Sequence, residues 1–126
     1  MLPATRSPYW LLAFAILAAQ LCGSFLGLGM YRSGDLPPPE TIGSIAAVTA
    51  GIAAALAFIG WLGGRATFAC ATLGLVAGLA YMALVYATVQ DGMADLGALL
   101  MVFVLGLAGL GLGMVIDIVR AVRARR

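Results

Sequence analysis

Apolar positions in this chain do not alternate with polar ones; they fill whole segments, about Tyr9–Met30, Thr41–Leu62, Ala66–Val89 and Leu96–Val119. Each run is about 22 residues, or about 33 Å of α-helix, enough to cross the hydrocarbon core of a bilayer. None carries a charge in its central two-thirds. The pattern predicts an all-α fold: one integral membrane bundle of four transmembrane helices with antiparallel neighbours, spanning residues 1–126. A cleaved signal peptide is the other reading of the first run. Its apolar stretch exceeds the roughly 7–15 residues of such a segment, and Leu21 before Cys22 spoils a lipoprotein cleavage site, so it counts as a span.

The sparse polar positions orient the spans. With the N-terminus inside, Arg6, Arg65, Arg120, Arg123, Arg125 and Arg126 are cytoplasmic, and the outside holds Arg32 with Asp35, Glu40, Asp91 and Asp95. Six arginines against one, in short segments, is a strong positive-inside signal, so both termini are expected in the cytoplasm. Glu40, Asp91 and Asp95 fall just before helices 2 and 4, where a carboxylate favours the positive end of the helix dipole. Gly63-Gly64-Arg65 predicts a tight cytoplasmic turn between helices 2 and 3. The outer segment Tyr31–Glu40, with three consecutive prolines, is expected to be extended and stiff. It is read as a spacer first and a docking strip second.

Composition then narrows the chemistry. The chain is 63% hydrophobic and 10% charged, with a mean hydropathy of +1.09, where a soluble domain carries roughly 25% charged residues. The expected home is a bacterial or archaeal cytoplasmic membrane. All seven basic residues are arginine and there is no histidine, which removes the usual haem and zinc ligand and the commonest proton shuttle. No cofactor or metal site is expected. By depth, Cys22 and Cys70 lie too far apart for a disulfide, which needs Cα atoms within about 7 Å.

Glycine is the informative residue. In lipid, helices associate through close packing and interhelical hydrogen bonds, which favour small side chains. Gly106, Gly109 and Gly113 lie three and four apart and share one face of helix 4, and Asp117 continues their stripe. The device recurs as Gly23/Gly27 in helix 1, Ala47/Gly51 in helix 2 and Gly74/Gly78 in helix 3. Four such pairs predict a tight bundle with surface left for neighbours. Gly111 points about 200° from Gly109, taking 100° per residue, which implies a second close contact. The string LGLGM, at Leu26–Met30 and Leu110–Met114, is too short in so biased a composition to establish an inverted repeat.

Polar residues inside the spans leave two readings each. Gln20, Ser24, Thr49 and Tyr81 fall at similar depths; they either hydrogen-bond across helices, which is favoured, or line a small polar site or pore. Asp117, with Arg120 at i+3 and Arg65 at the same level, is read as an interfacial ion pair, or less favourably as a proton or cation site. The terminal RAVRARR is expected to attract anionic lipid headgroups, and is too short for a nucleic-acid arm. Tyr9, Trp10 and Trp61 are expected as aromatic anchors at the cytoplasmic interface.

Nothing in the spans supplies a nucleophile, an acid-base pair or a metal, so an enzyme is not expected. Length and span number are similar to those of small multidrug transporters and fluoride channels. The chain lacks the first-helix glutamate of the former and does not match the polar motifs of the latter, so no family is recognised. The favoured expectation is a non-catalytic accessory, assembly or stabilising subunit whose partners are other membrane subunits or itself. A small oligomeric channel or facilitator is the alternative.

Overall fold

Where no water is at hand, an unpaired backbone N–H or C=O costs several kcal/mol, and a long apolar run meets its own needs by coiling into a helix. The computed structural model describes residues 6–88 and 92–126. They form α1 (Tyr9–Ser33), α2 (Pro39–Trp61), α3 (Arg65–Thr88) and α4 (Gly92–Ala124). All four are long and apolar enough to cross a membrane. Val89 and Asp91, expected at the end of the third span and beside the fourth, lie outside the described residues. Four hydroxyls within the helices are satisfied locally: Ser33, Ser44, Thr49 and Thr88 each donate to the carbonyl four residues back.

The helices outrun the apolar runs that announced them. α1 continues to Ser33, where Gly34 at φ +77° donates to the Met30 carbonyl, a left-handed cap that glycine accepts without strain. α2 opens on Pro39, whose missing N–H costs nothing in a first turn. The stiff outer connection is therefore shorter than the expected Tyr31–Glu40. Glu40 and Asp95 stand inside the first turns of α2 and α4 rather than before them. α4 has 33 residues, about 50 Å, well beyond the roughly 30 Å hydrocarbon core.

Between α2 and α3 the expected tight turn is present. Gly63 donates to the Gly60 carbonyl and Gly64 to that of Ile59, the paired bonds of a Schellman motif, with Gly63 at φ +114°. The turn is also pinned from the N-terminal side. The Arg6 amide donates to the Trp61 carbonyl at 2.9 Å, and its guanidinium lies 5.9 Å from the Trp61 ring centre.

These four helices do not contribute equally to the core. α3 is the most buried, and α1 and α4 are the least. Among the described residues α4 packs its backbone closely on α3 alone, while α1 lies on α2 and touches α3 along one edge. The core runs from Trp10, Leu17 and Leu21 through Leu56, Phe68, Leu75 and Leu79 to Ala98 and Val102. Among the described residues α4 thus packs along one neighbour, with a side-chain ion pair to α1 at one end, and is not a member of a closed ring.

Candidate functional site

The α3–α4 seam is where the glycines meet. A Cβ at Gly74 would strike the Leu105 carbonyl, one at Gly78 the Val102 backbone, one at Gly109 the Cys70 carbonyl and one at Gly113 the Thr67 backbone. Positions on α3 rise as their partners on α4 fall. Gly106 meets only the side chain of Leu75. Small residues let two backbones approach, and close approach supplies the dispersion contacts that hold helices together without a hydrophobic drive.

Elsewhere the small-residue pairs are open. Gly23, Gly27, Gly51 and Gly111 have no atom of another helix within 4 Å of a built Cβ. A Cβ at Gly60, absent from the sequence-derived set, would fall inside the ring of Trp10. That indole is 3% exposed and packs edge-on to Phe68, with centroids 5.0 Å apart. Trp10 is therefore a core residue and not the interfacial anchor expected of it, because glycine on α2 leaves a socket for the ring. Tyr9 stays exposed.

Asp117 is bound to a helix end. Its carboxylate accepts from the Thr67 amide at 2.8 Å, the Thr67 hydroxyl at 2.7 Å and the Ala66 amide at 3.3 Å. Those amides belong to the first turn of α3, which has no intrahelical acceptor and carries the positive end of the dipole. The carboxylate thus caps α3 from a neighbouring helix. The expectation built on Arg65 and Arg120 left out this acceptor role, which rests on how α4 meets the start of α3.

A matching contact lies at the other end of α3. Arg32 forms a two-pronged ion pair with Asp95, both N–O distances being 2.8 Å, and the side chains are 19% and 23% exposed. Its third contact donates to the Tyr86 carbonyl at 3.3 Å, in the last turn of α3, and the guanidinium stands 5.5 Å from the Tyr86 ring centre. A cation thus serves the negative end of α3 as an anion serves the positive end. This clasp was missing from the sequence-derived set. Its one signal was that Arg32 and Asp95 fall at the same end of the helices with opposite charge.

The four polar residues are not brought together. Gln20 and Ser24 line an open groove of about 460 Å³ between α1 and α3, with Gly23, Gly27, Val76 and Ala80. Thr49 is 2% exposed and donates to the Ile45 carbonyl of its own helix. Tyr81 is exposed and does not line that groove. Cys22 and Cys70 are free. Among the described residues no three of histidine, cysteine, aspartate and glutamate gather as a metal would need. No family model, no curated protein and no solved structure matches this chain.

Proposed function

We propose that the protein is a small non-catalytic integral membrane subunit that assembles with other membrane helices, or with copies of itself, to complete or stabilise a larger complex. One observation carries the reading: α4 spends its Gly106/Gly109/Gly113 stripe on α3 and keeps Gly111 on an open apolar face, beside exposed Leu107, Leu112 and Val115. Glycine in a helix costs about 1 kcal/mol against alanine, and lipid alone does not reward it. A second helix approaching Gly111 would. The Gly23/Gly27 pair on α1 offers a further surface of the same kind.

Gentle solubilisation followed by native mass analysis tests the reading. Copurification with foreign membrane subunits, or a defined homo-oligomer, is the expected result. A 12.9 kDa monomer recovered repeatedly in mild detergents and in nanodiscs from the native membrane defeats it. The facilitator alternative is favoured by the groove at Gln20 and Ser24, and it requires solute flux in liposomes that Gln20→Leu abolishes.

The proposed topology places antiparallel neighbours with both termini in the cytoplasm of a bacterial or archaeal cell. Its support is the gathering of arginines: Arg6 at the end of α2, Arg65 at the start of α3, and Arg120 to Arg126 beyond Asp117. Positive residues are retained on the cytoplasmic face. Reporter fusions after Arg126 and within Gly63–Arg65 should both read as cytoplasmic, and one at Leu36 as external. An external C-terminal reporter would reject the arrangement.

A further inference from the structure

At its Arg65 end α3 stops while α4 runs on, from Asp117 on the first turn of α3 to Ala124. The step between them is hollow. A cavity of about 490 Å³ opens there, lined by Arg65, Ala66, Ala69 and Cys70 of α3 and by Ile116 and Arg120 of α4. Register accounts for the lining, since 65, 66, 69 and 70 share one face of α3 and 116 and 120 lie one turn apart on α4. Ala69, Cys70 and Ile116 make an apolar wall toward the middle of the helices, and the two guanidiniums lie nearer the ends, on the first residue of α3 and one turn beyond Ile116 on α4. Among the described residues none of those lining the cavity is acidic; Asp117, beside Ile116, accepts from the Ala66 and Thr67 amides and the Thr67 hydroxyl.

We infer that this step binds one anionic glycerophospholipid, its headgroup phosphate held by Arg65 and Arg120 and its first methylenes against Ala69, Cys70 and Ile116. Guanidinium forks match phosphate oxygens with directed, charge-assisted hydrogen bonds. A lipid changes from anionic to apolar along its length as the cavity does, whereas free phosphate would use the guanidiniums and leave the apolar wall bare. Arg65, Arg120, Arg123, Arg125 and Arg126 are all exposed; the last three differ in that they do not line the cavity, and they attract a charged leaflet without selecting a molecule. The inference requires that the helices cross a bilayer and is independent of any partner subunit.

Native mass spectrometry of the full chain, titrated with dioleoylphosphatidylglycerol, dioleoylphosphatidylcholine or sodium phosphate, tests it. The expected result is one tightly held phosphatidylglycerol per chain, with phosphatidylcholine about tenfold weaker and millimolar phosphate without effect on retention. Arg65→Gln and Arg120→Gln should each weaken retention about tenfold, and the triple change Arg123→Gln/Arg125→Gln/Arg126→Gln by less than about threefold. Ala69→Leu, which fills the wall and leaves both guanidiniums, should also weaken it. Arg120 lies on the overhanging end of α4, so its variant decides the matter should Arg65→Gln fail to fold. Equal loss in the triple variant and Arg120→Gln, equal retention of the two lipids, or displacement by phosphate would each overturn the assignment.

Discussion

In the chain dissociated to the monomer in detergent, Gly109→Ala and Gly113→Ala each lower the melting temperature by about 5–10 °C, while Gly111→Ala leaves it unchanged or slightly raised. The contrast follows from what one added methyl meets. At Gly109 it strikes the Cys70 carbonyl and at Gly113 the Thr67 backbone. Backbone cannot rotate away, so α3 and α4 must move apart along the seam. Overpacking of this kind costs about 1–3 kcal/mol even where side chains can yield. At Gly111 the methyl meets no other helix, and alanine brings its better helix propensity. Gly106→Ala falls between the two, because it meets only the flexible end of Leu75. Equal melting temperatures for the Gly109, Gly111 and Gly113 variants would show that the seam is not packed as described.

Arg32→Gln or Asp95→Asn, made singly, destabilises the protein by about 2 kcal/mol, and the double variant loses distinctly less than the sum. The pair is one-fifth exposed, so water replaces a lost partner poorly. Either single change leaves a charged group with its hydrogen bonds broken. Arg32→Gln carries a further cost, because the guanidinium also serves the Tyr86 carbonyl at the end of α3. A double-mutant cycle in chemical or thermal unfolding measures the coupling. Strict additivity would mean that the clasp contributes nothing, and α1 would then be held by its apolar contacts alone.

Together the clasp and the Asp117 cap explain why α3 is the central helix. Each of its ends presents orphan backbone groups, and each is met by a side chain of the complementary charge from a different neighbour. α4 supplies the anion and α1 the cation. The arrangement fixes the register of α4 at both ends: Asp117 on the first turn of α3, and Asp95 on Arg32 beside its last turn. The glycine seam between them then needs no lateral search.

Much of this was legible in the residues. The four apolar runs set the helix number, since nothing else satisfies so long an apolar backbone. The spacing of Gly106, Gly109 and Gly113 marked one face of α4, and the same arithmetic carried Asp117 onto it. The Gly63-Gly64 turn was readable because a left-handed position admits glycine at no steric cost. Helix ends were less legible, because arginine, alanine and a capping glycine extend a helix past the apolar run that announces it.

Tertiary structure alone decided which small-residue faces are used. Gly74 and Gly78 pack, while Gly23, Gly27 and Gly51 stay open, although their spacing in the sequence is the same. The reason lies in the apolar character of the helices: being hydrophobic all round, they carry no amphipathic stripe to announce an inward face. The choice rests on how closely two backbones can approach, which depends on both helices at once. The same holds for Trp10, whose burial needed Gly60 opposite, and for Asp117, whose partners became available only when α4 met the start of α3. Composition made this chain a set of membrane-length helices; pairwise fit made one of them the centre.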